Sequence, residues 1–270
     1  MPVLVDGVAG GRLDPLDRGL QYGDGLFETM AVRDGRARFF EWHLTRLADG
    51  ARRLAMPVPE ESRLAGQIAA AWPGGRGVVK VICTRGPAGR GYRPPARVEP
   101  TCVVAGFDWP AWPATAWSEG IRLRYCRTRL GRNPLLAGIK HLNRLEQVLA
   151  RAEWDDDGIA EGLMQDDRGL VISGTQSNLF AVIAGRIVTP ALDQCGVAGV
   201  MRGAFCRWAA EHETAVVERG VRAGELEIAS EMFMTNALIG AWPVRELAGR
   251  RMPRGSLATR FNDWLAGQGR

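Results

Sequence analysis

The basic residues of this 270-residue chain are almost all arginine. Lysine occurs only at positions 80 and 140, although lysine and arginine together number 35. An arginine guanidinium stays protonated and suits clamps for phosphate or carboxylate groups, whereas a lysine amine can lose its proton and form a Schiff base with a carbonyl group. Any imine chemistry of the side chains therefore depends on Lys80 or Lys140.

The two lysines stand in different sequence contexts. Lys80 alternates with Val79 and Val81 in "GVVKVIC", a pattern typical of a strand, which favours a structural role or a place at the rim of a site. Lys140 precedes a stretch with helical spacing, so we expect it just before a helix. The apolar residues of that stretch are Leu142, Leu145, Val148, Leu149 and Ala152.

Hairpins and helices must position these residues. Asp34-Gly35 and Ala184-Gly185 each lie between apolar runs, and both pairs predict the tight turn of a β-hairpin. Helical spacing of Leu44, Leu47 and Leu54 predicts a helix over residues 41–54, and we expect further helices at about 60–72 and 200–211. The chain is therefore expected to be of the α/β (α+β) class.

A change of composition divides the chain. Residues 108–119 are rich in proline, alanine and tryptophan and show no periodicity, which is typical of a linker. We therefore expect an N-terminal α/β domain at 1–107 and a C-terminal α/β domain at 120–270.

Several functional classes are disfavoured by composition. The net charge of +5 comes from scattered arginines, so we expect no nucleic-acid partner. The start of the chain lacks a basic flank and a long apolar run, and no stretch approaches the ~20 apolar residues of a membrane span, so we expect a cytoplasmic protein. The five cysteines show no C-x-x-C spacing and the three histidines are scattered, which predicts neither disulfides nor a metal site.

Two segments of the chain are distinctive, namely "DRGLQYGDGLFETMAV" at Asp17–Val32 and "RNPLLAGIKHLNRLEQVLAR" at Arg132–Arg151. Both resemble the aminodeoxychorismate lyase family, part of the class IV aminotransferase fold group of enzymes that use pyridoxal 5′-phosphate (PLP). The resemblance continues in order, more loosely, through "HLTRL", "TRGPAGRGY", "SNLF", "GVAGVMR" and "MTNALIGAWPV". It implies the two-domain fold of PLP fold type IV enzymes, similar to D-amino-acid and branched-chain aminotransferases, with PLP at the domain interface and two chains forming a homodimer.

The resemblance also implies a reaction and a set of cofactor contacts. The reaction is conversion of 4-amino-4-deoxychorismate to 4-aminobenzoate and pyruvate, a step of folate synthesis. Lys140 of "GIKHLN" matches the lysine that binds the PLP aldehyde, and Arg46 of "HLTRL" matches the arginine that grips its phosphate, although Arg46 is also compatible with a surface helix. The amides of Val200 and Met201 are expected to face the phosphate from a helix N-terminus.

Four further residues are similar to positions near the substrate, and one to a position at the edge of the cofactor. Thr29 of "FET" matches a threonine that the lyases carry near the substrate, where a hydroxyl could relay a proton to the departing pyruvate carbon, but it also suits a strand. Tyr92, Arg90 and Arg85 lie in a loop that faces the substrate in this fold group, where the arginines meet carboxylates or remain solvated. Asn236 of "TNAL" matches a residue that contacts the phosphate or ring oxygen, and a turn asparagine is the alternative.

Ser173 departs from the family pattern. Most relatives have a glutamate in the segment that matches "GLVISGTQSNLF", and this acid keeps the pyridine nitrogen of PLP protonated. A serine hydroxyl can hydrogen-bond that nitrogen but cannot hold the proton there as a carboxylate does. We interpret Ser173 as suited to a lyase, because formation of an aromatic ring supplies driving force that transamination lacks.

Two alternatives to the lyase remain at this point. One is a D-amino-acid or branched-chain aminotransferase of the same fold. The other is a catalytically impaired relative that binds PLP, for which Ser173 is the main support.

Overall fold

The computed structural model describes residues 2–268, which divide into two compact units. The first unit ends at Pro110 and also contains the segment Ile139–Asn143. The second unit comprises Ala111–Gly138 and the chain from Arg144 onwards. Lys140 therefore belongs to the first unit, whereas the sequence placed it with residues 120–270. The domain division expected from the sequence stays a prediction.

The first unit is built on a six-stranded antiparallel sheet with the order β2-β1-β6-β5-β3-β4. Its strands are β1 (Val3–Val5), β2 (Val8–Ala9), β3 (Gly25–Arg33), β4 (Arg36–Ala37), β5 (Arg76–Thr84) and β6 (Thr101–Asp108). Its helices are α1 (Arg18–Tyr22), α2 (Phe40–Arg53) and α3 (Glu61–Ala71). The predicted hairpin at Asp34-Gly35 is confirmed, since both residues have the positive φ of a tight primed turn (49° and 74°).

Helix α2 packs on β3 through one stripe of residues. His43, Leu47, Gly50 and Ala51 are buried and recur at the three- and four-residue spacing of a single helix face. Gly50 permits the close approach, because a Cβ atom there would lie 2.9 Å from Leu26 Cδ2 and 3.6 Å from Ile139 Cβ.

The short segment Ile139–Asn143 lies against the beginning of β3. The amide of Phe27 donates to the carbonyl of Lys140 (3.0 Å), and the amide of Leu142 donates to the carbonyl of Gly25 (3.0 Å). These two bonds flank a bridge between Leu26 and His141. The backbone of Lys140 is therefore held as an additional piece of sheet, although no strand was predicted there.

The second unit contains a nine-stranded mixed sheet with the order β12-β11-β10-β13-β14-β7-β8-β9, and β15 pairs with β14. Its strands are β7 (Ile121–Leu130), β8 (Ile159–Asp166), β9 (Val171–Gly174), β10 (Asn178–Ile183), β11 (Arg186–Pro190), β12 (Val216–Arg219), β13 (Glu231–Asn236), β14 (Gly240–Leu247) and β15 (Arg250–Arg251). Its helices are α4 (Thr115–Ser118), α5 (Leu145–Arg151), α6 (Val200–Glu211), α7 (Ala223–Leu226) and α8 (Leu257–Gly267).

The predicted helix over 200–211 and the turn at Ala184-Gly185 are both confirmed in the second unit, the turn by φ angles of 50° and 74°. A buried apolar cluster that includes Leu163, Leu179, Met232 and Trp242 supports its sheet. No helix within residues 2–268 is long and apolar enough to cross a bilayer.

Helix α5 differs from the expectation for an amphipathic core helix. It begins at Leu145, and the side chains of Leu145, Val148 and Leu149 are 76%, 60% and 61% exposed. Only Ala150 of this helix is buried. The apolar face that the sequence predicted therefore points out of the unit rather than into its core.

Candidate active site

Both lysines of the chain lie over the ring of Phe27 in the first unit. Lys140 Nζ is 4.2 Å from the ring centroid, and Lys80 Nζ is 5.1 Å from it. Thr29 follows Phe27 by two residues on β3, so it shares that face of the sheet, and it is the register partner of Lys80. The structure thus places predicted Lys140 and Thr29 in one neighbourhood, together with Lys80, which the sequence analysis assigned either a structural role or a place at the rim of a site.

The opposite face of β3 carries a buried ionic group that the sequence reasoning missed. The carboxylate of Glu28 accepts hydrogen bonds from Arg46 Nε (2.8 Å), from Arg46 Nη2 and from His43 Nδ1 (2.6 Å). Burial alone would raise the pKa of Glu28, but the charge of Arg46 and the hydrogen bonds from His43 and Arg46 outweigh it and hold the pKa at about 2. The sequence did contain a signal for this ionic group. An acid precedes Thr29 on the predicted strand, and a histidine and an arginine stand three residues apart on the predicted helix that follows.

Arg46, predicted to bind the cofactor phosphate, is held in a fixed orientation by this group. Two parallel bonds to one carboxylate fix the plane of its guanidinium, and its side chain is 13% exposed. Burial lowers the pKa of His43 despite the neighbouring carboxylate, so the imidazole is neutral at pH 7 and donates its Nδ1 hydrogen to Glu28. Arg46 is thus not the surface helix residue that was the alternative, while its contact with phosphate stays a prediction.

Arg85, predicted to meet a substrate carboxylate, is buried and fully engaged with the protein. It donates from Nε (2.7 Å) and Nη2 (3.0 Å) to Asp24 and from Nη2 and Nη1 to the carbonyls of Leu54 (2.7 Å) and Ala55 (2.9 Å), just after α2. Arg18 shares the same Asp24 carboxylate. This geometry differs from both roles that the sequence predicted for Arg85, a contact with a substrate carboxylate and a solvated position in the loop. It favours a structural role for Arg85.

The other two predicted substrate residues lie in an exposed loop. Tyr92 is 85% exposed, and its ring meets that of Tyr22 edge-on at 5.4 Å. Arg90 is also exposed. Arg18 fixes the loop backbone by donating to the carbonyls of Gly91 (2.8 Å) and Tyr92 (3.0 Å). The loop is therefore anchored to the first unit, with both predicted side chains accessible to solvent.

In the second unit, the N-terminus of α6 offers backbone donors. Gly199 precedes Val200 and provides no side-chain cap, so the first amides of the helix are not used by a capping group. Gly199 is required because a Cβ atom there would lie 2.1 Å from the Asn178 amide oxygen. Asn178 in turn pairs across the sheet with Thr235, which is fully buried and whose hydroxyl finds no hydrogen-bond partner within residues 2–268. These groups suit an anion such as a phosphate.

Asn236 follows Thr235 but its amide is used locally. Its Oδ1 accepts from the amides of Leu238 (2.9 Å) and Ile239 (3.0 Å), and its Nδ2 donates to the carbonyl of Gln176 (3.4 Å). This is the arrangement of a turn asparagine. The predicted contact of its amide with the cofactor stays a prediction, and the unpartnered hydroxyl next to it was not recognised from the sequence.

Ser173 lies on β9, beside a buried glutamate that the sequence reasoning did not mention. The Ser173 hydroxyl donates to the carbonyl of Gly174 (2.8 Å). Glu161, on neighbouring β8, accepts from the amide of Thr175 (2.9 Å) and the hydroxyl of Ser177 (2.6 Å). Glu161 therefore fixes the backbone of this loop, and position 173 itself offers a neutral hydroxyl.

Each unit, taken by itself, offers groups that fit one part of PLP. A lysine amine supported by an aromatic ring can hold the aldehyde, and an uncapped helix N-terminus beside an unpartnered buried hydroxyl can hold the phosphate.

Comparison with known proteins agrees with this geometry. The family model "Amino-transferase class IV" matches residues 25–247. The chain is 36% identical to the aminodeoxychorismate lyase of Vibrio harveyi over 84% of each chain. It is 48% identical to a solved 4-amino-4-deoxychorismate lyase from Pseudomonas aeruginosa, with a TM-score of 0.93 and 98% of each chain covered.

A second solved structure shares the fold at lower identity. It is a T.th. branched-chain amino acid aminotransferase solved with pyridoxamine 5′-phosphate, which is 22% identical, with a TM-score of 0.85, and covers 98% of this chain and 92% of its own. The chain belongs to the class IV aminotransferase family. The predicted family, fold class and PLP-dependent enzyme class are thereby confirmed.

Proposed function

We propose that this chain is a PLP-dependent lyase that converts 4-amino-4-deoxychorismate to 4-aminobenzoate and pyruvate. The observation that carries the proposal is the position of Lys140, whose amine lies over Phe27 and whose backbone is bonded to the strand that carries Thr29. The 48% identity to the Pseudomonas aeruginosa lyase over almost the whole chain supports the same reaction.

The cofactor contacts follow from the donors described above. Lys140 would bind the PLP aldehyde, and the amides of Val200 and Met201 with the Thr235 hydroxyl would bind its phosphate. Arg46, held by Glu28, would add a guanidinium to the phosphate contacts. When bound, PLP draws electrons from the substrate carbon that bears the amine.

Lys140 and Thr29 have separate tasks in this proposal. The Lys140 amine would remove the hydrogen from the ring carbon that bears the amine of the substrate. The bond between the ring and the enolpyruvyl oxygen then breaks, and the ring becomes aromatic. The enolpyruvyl fragment becomes pyruvate when its methylene carbon gains a proton, which the Thr29 hydroxyl relays.

Ser173 fits a reaction with this driving force. A neutral hydroxyl near the pyridine nitrogen withdraws fewer electrons through the ring than a glutamate, which lowers the capacity for transamination. Aromatisation of the substrate compensates in the lyase reaction. The residue thus favours the lyase over an aminotransferase.

Parallel assays separate the two activities. PLP-loaded enzyme is given 4-amino-4-deoxychorismate with a coupled pyruvate assay, and in parallel branched-chain or D-amino acids with 2-oxoglutarate. We expect pyruvate release to exceed amino-group transfer by several orders of magnitude. If amino-group transfer were faster than pyruvate release, the chain would be an aminotransferase and the lyase proposal would be wrong.

Covalent trapping tests the lysine itself and the possibility of an inactive relative. Borohydride reduction of the PLP-loaded enzyme, followed by peptide mapping, should label Lys140. A label on Lys80 would move the catalytic amine to the other lysine, and the absence of any label would leave a protein that forms no covalent bond with PLP.

The exposed face of α5 supports a homodimer. Leu145, Val148 and Leu149 form an apolar patch on one short helix, and such a patch is stabilised when a second copy covers it. Light scattering of the purified chain should give twice the mass of 29.5 kDa, and Leu149→Glu should shift it toward the monomer. A monomeric wild-type chain would rule this out. The cytoplasmic location also stays a prediction.

A further inference from the structure

Two buried cysteines face each other across the six-stranded sheet of the first unit. Cys83 on β5 and Cys102 on β6 are register partners, and their side chains are buried. Both are free thiols, and a hydrogen bond joins the two side chains. The Cys102 thiol also donates to Oε1 of Gln67 (3.5 Å). Two thiols in direct contact are thus held in place by the sheet.

The backbone places this pair where the side chains of an antiparallel ladder come closest. The amide of Asp6 donates to the carbonyl of Cys102 (2.8 Å), and the amide of Cys102 donates to Oδ1 of Asp6 (2.8 Å). Both backbone groups of Cys102 therefore point toward the end of β1 and away from β5. Cys83 and Cys102 thus form a non-hydrogen-bonded pair, whose Cα atoms lie about 4.5 Å apart, within the range of about 4.4–6.8 Å that a disulfide spans.

The two thiols differ in reactivity. The hydrogen bond with Cys102, together with burial, raises the pKa of Cys83, whereas the same bond lowers the pKa of Cys102. The thiolate is the reactive form of a cysteine, so Cys102 is the thiol that reacts first. Cys83 lies beside it as the thiol that completes the bond.

We infer that Cys83 and Cys102 are an oxidisable dithiol, which a small peroxide converts to a disulfide between β5 and β6. In the first step the Cys102 sulfur attacks one peroxide oxygen and the oxygen–oxygen bond breaks, which gives a sulfenic acid and water. In the second step the Cys83 sulfur attacks the sulfenic sulfur and displaces its hydroxyl group as a second water. The two thiols lose two electrons in total, and the peroxide gains them.

The disulfide would link the two ends of the loop that carries Arg90 and Tyr92. Cys83 is the penultimate residue of β5, and Cys102 is the second residue of β6. Since the sulfurs of a disulfide are only about 2.05 Å apart, closer than two thiols lie, the ends of both strands must adjust. A displacement of about 1 Å near a site can cost much of the rate, so oxidation is expected to lower kcat/KM. This consequence, unlike the disulfide itself, rests on the proposed function.

Peptide mapping tests the disulfide. The folded chain is treated with hydrogen peroxide, unfolded in iodoacetamide and digested with trypsin, which separates the two cysteines into segments 81–85 and 98–122. We expect these segments to be joined, with a mass two hydrogen atoms below their sum, and to be released by dithiothreitol. Cys206→Ser should give the same joined peptide, whereas Cys102→Ala should not. Five alkylated cysteines in the treated wild type, or a joined peptide from another pair, would overturn the inference.

Activity tests the consequence for the site. We expect kcat/KM for 4-amino-4-deoxychorismate to fall about threefold or more on oxidation and to recover with dithiothreitol. Cys102→Ala should show no such loss, and if this variant does not fold, as judged by thermal unfolding, Cys102→Ser takes its place. An unchanged kcat/KM in the cross-linked wild type would overturn the effect on the site. If wild type releases no pyruvate at all, the lyase proposal fails, while the peptide map still decides whether the two thiols form a disulfide.

Discussion

The candidate site residues of the two units differ in the kind of group they offer. The first unit contributes ionisable side chains, with two amines over Phe27 and a buried pair of Glu28 and Arg46 behind them. The second unit contributes neutral donors, namely backbone amides at the start of α6 and the hydroxyls of Thr235 and Ser173. Proton transfer and charge recognition are therefore expected to depend on the first unit, and the electronic properties of the cofactor on the second.

Lys140→Ala should give the largest effect, because it removes the amine that both holds the aldehyde and moves the proton. We expect turnover to fall by at least about 10³-fold. Lys140→Arg should be equally inactive, since a guanidinium does not lose its proton. Pyruvate release provides the measurement. A variant that retains a tenth of the activity would contradict the division of tasks between the two units.

Glu28→Gln tests the buried pair behind the reactive face. It leaves Arg46 without its carboxylate in a buried position, so we expect the free energy of unfolding to fall by about 3–5 kcal/mol in urea titrations. Asp49→Asn removes the carboxylate from an exposed pair with Arg52 and should cost about 1 kcal/mol or less. If the free energy of unfolding fell equally in the two variants, burial would add nothing to the stabilisation by the Glu28–Arg46 pair.

Acid should weaken the wild-type chain through the same carboxylate. The pKa of Glu28 is about 2 in the folded chain against an ordinary value of 4.5, so its contribution is complete above pH 4.5 and is lost as the pH falls toward 2. The difference corresponds to about 3 kcal/mol. Urea unfolding from pH 6 to pH 3 should show a smaller decline in Glu28→Gln than in wild type. If the free energy of unfolding declined equally with pH in the two proteins, Glu28 would not be the source of the acid sensitivity.

Arg85→Met and Arg90→Met separate structure from recognition within one loop. Arg85 holds Asp24 and the end of α2, so its loss should lower the free energy of unfolding by about 2–3 kcal/mol and leave KM within twofold. Arg90 is exposed, so its replacement should not affect stability. A rise of KM in Arg90→Met alone would support the predicted substrate contact of that residue, whereas a rise in Arg85→Met alone would restore the original prediction for Arg85.

Ser173→Glu should have the smallest effect on the proposed reaction. A carboxylate at this position would hold a proton on the pyridine nitrogen, and we expect amino-group transfer to rise about tenfold, or about 1.4 kcal/mol in the barrier. Lyase turnover should change less than threefold, and Ser173→Ala should retain it. If Ser173→Glu alters neither rate, position 173 does not face the ring.

The local pattern of the sequence predicted the regular elements well. Helix α6 and the hairpin turns at Asp34-Gly35 and Ala184-Gly185 depend on short-range spacing and on residues that tolerate positive φ, both of which can be read directly. The family resemblance then predicted the PLP-dependent class. Helix α8 was not predicted at all.

Long-range pairing could not be read from the sequence in the same way. Arg85 and Asp24 are 61 positions apart, and only the folded chain shows that their charges are used by each other. The attachment of Lys140 to Phe27 and the shared ring of the two lysines likewise depend on segments that are distant in sequence. Spacing along the chain carries no information about such partners, so the sequence left Lys80 as either a structural residue or a residue at the rim of a site.

Gly50 gives the molecule an unexpected point of vulnerability. This residue lies on a helix and would contact neither substrate nor PLP, yet one added methyl group would lie 2.9 Å from Leu26 Cδ2 and force that buried side chain to shift, whereas its contact with Ile139 at 3.6 Å would be an ordinary one. Leu26 forms a bridge with His141, the residue after the reactive lysine, so the shift would reach the lysine segment through its pairing with β3. A genetic screen for inactive variants is therefore expected to recover substitutions at position 50, although Gly50 takes no part in the proposed chemistry.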